Sequence, residues 1–163
     1  MTTPSQTVGP YYEIGLCDRP LHELVPDGPV RIEGRVVDGA GEPVPDAMVE
    51  IWQADAAGEY RPDFGWGRCG TDDEGRYRFR TIKPGPVAGQ APHVVVLVFA
   101  RGLLRPALTR LYFPDEAEAN AADPVLASVP ESERSTLVAI PDGDVLRFDI
   151  RLQGDAQTAF FAL

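Results

Sequence analysis

Two cysteines, Cys17 and Cys69, and two histidines, His22 and His93, are the whole supply of thiol and imidazole groups. None stands at CxxC, HxH or HExxH spacing, so a zinc site made from this chain alone is not expected. No local motif sets a serine or cysteine nucleophile beside a base. The cysteines have no catalytic partner in view and read as free thiols. By itself, His93 reads as a hydrogen-bonded core histidine. Tyr60 reads as a packing ring with a satisfied hydroxyl, and Trp52 and Trp66 as packing residues. Arginine is the remaining chemistry. Arg101, Arg105 and Arg110 fall within one hairpin, and a guanidinium there faces an anion or pairs with the acids at 115–118.

The chain has 163 residues, with 15 Lys+Arg against 25 Asp+Glu and a formal charge of −10. That balance argues against a nucleic-acid partner, which needs clustered cations, but leaves room for a small anion at one arginine. No run of 18 apolar residues suggests a membrane span. The opening MTTPSQTVGP has neither the basic nor the apolar part of a signal peptide, so a cytoplasmic protein is expected. The length suits a single domain over residues 1–163.

Strand patterns dominate the elements that must position these groups. Val30, Ile32, Gly34 and Val36 alternate with Arg31, Glu33 and Arg35. VEIWQA around Ile51 forms a second strand, and Tyr77 and Phe79 alternate with arginines in a third. VVVLVFA after His93 does not alternate and reads as buried on both faces. Leu108–Phe113 and the alternating Phe148, Ile150 and Leu152 complete the set. Turn signals separate them at 38–43, 55–59, 72–75 and 141–144. The pattern predicts an all-β fold, an antiparallel β-sandwich with short helical turns within 114–136. Residues 1–29 are Pro-rich and irregular and form an extended N-terminal arm that needs something to lie against. TAFFAL, with its adjacent phenylalanines, predicts an apolar anchor.

Several stretches together resemble the intradiol ring-cleavage dioxygenases, on the side of their alpha-type chains. These are TPSQTVGPYYEIGL at 3–16, GRVVDGAGEPVPDAMVEIWQADAAGEY at 34–60, FRTIKPGP at 79–86, APHVVVLVFARGLL at 91–104, LTRLYFPDEAEAN at 108–120 and RFDIRLQG at 147–154. The resemblance implies a β-sandwich of the intradiol dioxygenase type and O2-dependent opening of a catechol ring such as that of protocatechuate. It implies a ferric ion, Fe(III), held in the catalytic chain by two tyrosines and two histidines. Carried onto this chain, those ligand positions are Tyr60, Val87, His93 and Val95. Valine has no donor atom, and the family's arginine three residues before the first histidine falls on Gln90, so the nearby cation is lost as well. The resemblance therefore implies that iron is bound by a partner beta subunit, within a large symmetric hetero-oligomer. It also implies that Thr7, Gly9, Pro10 and Arg101 help line the substrate cleft, and that the arm at 1–29 packs on the partner. A guanidinium at Arg101 suits the substrate carboxylate.

Two other readings stand beside this one. GRVVDGAGEPVPDAMVEIWQAD also suits a transthyretin-like sandwich that binds without chemistry. An independent iron enzyme with unusual ligands is the third, and the visible colour of a tyrosinate–ferric centre would reveal it.

Overall fold

The computed structural model describes residues 3–19 and 21–162. The arm contains one helical turn, α1 (Tyr12–Leu16). Six strands follow: β1 (Val30–Val37), β2 (Met48–Gln53), β3 (Trp66–Gly70), β4 (Arg76–Thr81), β5 (His93–Phe99) and β6 (Ala107–Tyr112). Three short helices come next, α2 (Ala117–Ala122), α3 (Pro124–Ser128) and α4 (Glu131–Arg134), and a 3-10 turn at Ser135–Leu137. The chain closes with β7 (Ile140–Asp142), β8 (Val145–Arg147) and β9 (Ile150–Arg151).

One sheet runs β4-β1-β8-β7 with β9 also on β1, and the other runs β3-β2-β5-β6. Alternation sends Ile32, Val36, Tyr77 and Phe79 inward from the first sheet. Val49, Ile51, Val94, Val96, Val98 and Leu111 meet them from the second, giving one shared core. The predicted all-β sandwich is the architecture observed.

Three of the predicted turns share one device. Asp38, Asp55 and Asp72 each accept two backbone N–H bonds through Oδ1, from residues two and four places on, at 2.8–3.1 Å. Gly41, Gly58 and Gly75 follow three places after each aspartate with φ between 72° and 87°, a conformation that suits glycine.

Four features depart from the sequence pattern. The last strands are not antiparallel to their neighbour: β8 and β9 both run parallel to β1, so the first sheet is mixed. Residues 148–149 interrupt them, because Phe148 N–H donates to Glu33 O and Asp149 Oδ1 accepts from Arg35 N–H. In β5 the inward residues are buried, while Val95, Leu97 and Phe99 on the other face are only partly covered. Trp52 and Trp66, paired in register, stand on that same outer face at 48% and 45% exposure, packing there against Tyr60 and Arg68 rather than inside the sandwich.

The tail is anchored as its composition predicts. Phe161 N–H donates to Leu108 O at 2.8 Å, and Ala159 is buried in a second apolar cluster with Tyr112, Leu126 and Leu137. Cys17 and Cys69 are free thiols.

Candidate functional site

His93 opens β5 and is buried. Its Nδ1 lies 2.8 Å from Ala91 O, which only accepts, so Nδ1 carries the proton. The lone pair is then on Nε2, 3.3 Å from the Tyr60 hydroxyl, which donates to it. Tyr60 packs its ring edgewise on Trp52, with centroids 5.0 Å apart. Burial pushes the Tyr60 phenol up and the His93 imidazole down, so both favour their neutral forms. The two groups that still have metal-binding atoms are thus committed to each other.

The other two positions supply nothing. Val95 lies two residues from His93 on the same face of β5, opposite Trp52 on β2 and Arg110 on β6. Val87 starts a tight turn closed on Gln90, with Ala88 and Gly89 both at positive φ. Among the described residues no three His, Cys, Asp or Glu side chains are grouped as a metal ion would require.

Gln90 carries no charge of its own, but a cation reaches it from the neighbouring strand. Arg110 Nη1 donates to Gln90 Oε1 at 2.7 Å. Its charge opposes the upward push on Tyr60 and adds to the downward push on His93. Tyr112 lies beyond it and donates to Asp123 Oδ1 at 3.2 Å. Asp123 is fully buried; its carboxylate caps α3 through Val125 and Leu126 N–H and also accepts from Ala91 N–H, each at 2.8 Å. The sequence held no signal for this network, because Gln90 in a turn, Arg110 on β6 and Asp123 at the cap of α3 are joined only once distant segments fold together.

The predicted cleft residues gather at the other end of β5. The Tyr12 hydroxyl reaches the backbone carbonyls of Asp46 and, at 3.2 Å, of Phe99. Burial, then the nearby acids Asp46 and Glu13, push its phenol up to about 12. This moors α1 beside the turn that carries Arg101. Arg105 Nε donates to Ser5 Oγ at 3.1 Å, and Gln6 and Val8 share a crevice with Phe99, Leu103 and Leu104. So residues 5–8 of the arm lie along residues 99–106 of their own chain. Thr7 accepts weakly from Gly9 N–H at 3.4 Å, and Gly9 has φ 81°. Thr7, Pro10 and Arg101 are exposed. Arg101 forms an ion pair with Asp46, whose side chain is mostly covered. None of the three hairpin arginines pairs with the acids at 115–118; Lys83 takes Asp115 and Glu116 instead.

Comparison with known proteins matches residues 20–154 to the family model described as "Dioxygenase". The chain belongs to the intradiol ring-cleavage dioxygenases. It is 46% identical to the protocatechuate 3,4-dioxygenase alpha chain of Burkholderia cepacia, covering 98% of this chain and 96% of that one. It is 38% identical to the beta chain from the same organism over 76% of this chain. The solved dioxygenase domain of a carbohydrate-binding fusion protein from Streptomyces sp. SirexAA-E superposes with a TM-score of 0.65 at 27% identity, covering 94% of this chain and 99% of that one. The dioxygenase match runs far past the 34–55 stretch shared with transthyretin-like sandwiches. Intradiol dioxygenases are in general iron enzymes. A ferric ion does not fit the donors here: Tyr60 and His93 bond each other, and Val87 and Val95 have no lone pair to give.

Proposed function

We propose that this chain is the alpha subunit of a protocatechuate 3,4-dioxygenase. It forms part of the cleft in which protocatechuate is opened by O2 to 3-carboxy-cis,cis-muconate, and a beta subunit holds the ferric ion. The ion supplies the redox chemistry there. This chain supplies a rigid wall from Thr7, Gly9 and Pro10 and a guanidinium, Arg101, for the substrate carboxylate. Its arm at 1–29 reaches the partner, within a cytoplasmic hetero-oligomer of paired chains.

The observation that carries the reading is the mutual hydrogen bond of Tyr60 and His93 flanked by two valines. It leaves this chain without a donor set for iron, while 46% identity to an alpha chain supports the subunit role. The test is to purify the chain alone and together with a beta-type partner, then measure bound iron and oxygen uptake with protocatechuate. Iron and activity are expected only in the assembled enzyme. Stoichiometric ferric iron, visible colour and full activity in the isolated chain overturn the division of labour.

A further inference from the structure

We propose that Asp46 is a positioning residue for Arg101, holding the guanidinium by its Nε so that both terminal nitrogens stay free for a carboxylate. The inference rests on the reading of Arg101 as the substrate-carboxylate contact.

Arginine has a long side chain with many rotamers, and at 64% exposure Arg101 makes no side-chain hydrogen bond among the described residues that would select one. Its Nε pairs with Asp46 Oδ2, and among the described residues this is its only ion pair. Nε is the nitrogen nearest Asp46, and among the described residues no hydrogen bond occupies either Nη group, the pair that meets a carboxylate side by side. Asp46 is itself fixed. Its side chain is 19% exposed, and its backbone carbonyl accepts from the Tyr12 hydroxyl. Tyr12 also reaches Phe99 O, two residues before Arg101. One buried tyrosine therefore ties the arm, the aspartate and the arginine-bearing turn into a single unit. An ion pair this exposed adds little to folding stability. Its effect is orientational, because ordering the arginine before substrate arrives removes a loss that binding would otherwise incur.

The experiment uses the enzyme assembled with its beta-type partner and compares Arg101→Ala, Asp46→Asn, Asp46→Glu and the double variant Asp46→Asn/Arg101→Ala. KM and kcat are measured for protocatechuate and for catechol, which lacks the carboxylate. Arg101→Ala is expected to raise KM for protocatechuate roughly ten-fold or more, with catechol little changed, as befits loss of a charge-assisted contact. Asp46→Asn is expected to raise the same KM about three-fold or more, leave kcat and catechol near wild type, and add nothing in the Arg101→Ala background. Asp46→Glu is expected to recover part of the loss. A selective effect in Arg101→Ala with none in Asp46→Asn overturns this proposal and leaves the Arg101 reading intact. Equal losses on both substrates in Asp46→Asn reduce Asp46 to a structural residue and also overturn it. No substrate selectivity in Arg101→Ala removes the Arg101 reading itself, and the proposal with it.

Discussion

Arg110 on β6 donates to Gln90 at 2.7 Å, so a guanidinium from one strand is held at the entrance to the next, beside Tyr60 and His93. The consequence is electrostatic. The guanidinium is a fixed single charge that cannot leave or change oxidation state.

Replacing that charge tests its reach. Arg110→Gln removes a cation that favours the Tyr60 phenolate and disfavours the His93 imidazolium. Both groups are expected to titrate higher than in the wild type. Ring-carbon NMR titration of His93, assigned with a His93→Gln control, and ultraviolet titration of Tyr60 measure this. Opposite or absent movement shows that the charge is screened from the pair.

His93 also gives the fold a dependence on pH. Burial, with Arg110 adding to it, holds its folded titration point below the ordinary 6.5. Between that lower point and 6.5 the unfolded chain binds the extra proton, so stability falls as pH drops through this window. His93→Gln should make the loss between pH 7 and pH 5 shallower in urea melts. An unchanged pH slope means that other groups set it.

Asp123 closes the network, and its loss should be costly. Asp123→Ala strips the cap of α3 and leaves the Ala91 N–H and the Tyr112 hydroxyl without their acceptor. A lost cap is worth about 1 kcal/mol and each of the two unpaired buried groups about 1–3, so about 3–7 kcal/mol is expected. Denaturant midpoints with an unchanged m-value measure it. Asp123→Asn should recover part, since its amide oxygen still accepts.

Much of this architecture is legible in the amino acids, and the reasons for the rest are specific. Alternation at Val30–Val36 and Tyr77–Phe79 suffices for β1 and β4, because one face is wet and one is dry. The Asp-x-x-Gly turns announce themselves, since the side chain and the left-handed glycine are both local. The parallel pairing of β8 and β9 is not legible: period two marks a strand but not the direction of its neighbour. The exposed faces of Trp52 and Trp66 are hidden for a similar reason, since a large aromatic on a strand says nothing about which sheet surface is covered. In the site, Tyr60 and His93 are findable through the family's spacing. Arg110, Asp46 and Tyr12 act through contacts made only when distant segments fold together.

Gly34 shows how tight that hidden pairing is. A Cβ there would collide with the Phe148 carbonyl, a backbone group that cannot swing aside. Gly34→Ala is expected to destabilise by about 1–3 kcal/mol, the usual range for overpacking, and to loosen β8 and β9 first. Hydrogen exchange at residues 145–151 locates the damage. Wild-type protection there, with unchanged melting, disproves the close approach.

The chain has two tryptophans, and both lie side by side on the half-wet surface of the second sheet rather than in the interior. Folding alone leaves their indoles in contact with water, so their emission scarcely distinguishes a sound monomer from a loosened one. A molecule that covers that surface and takes water off the indoles shifts their colour toward the blue. The protein thus contains its own optical gauge of association, readable without a label and blind to most of what happens in the core.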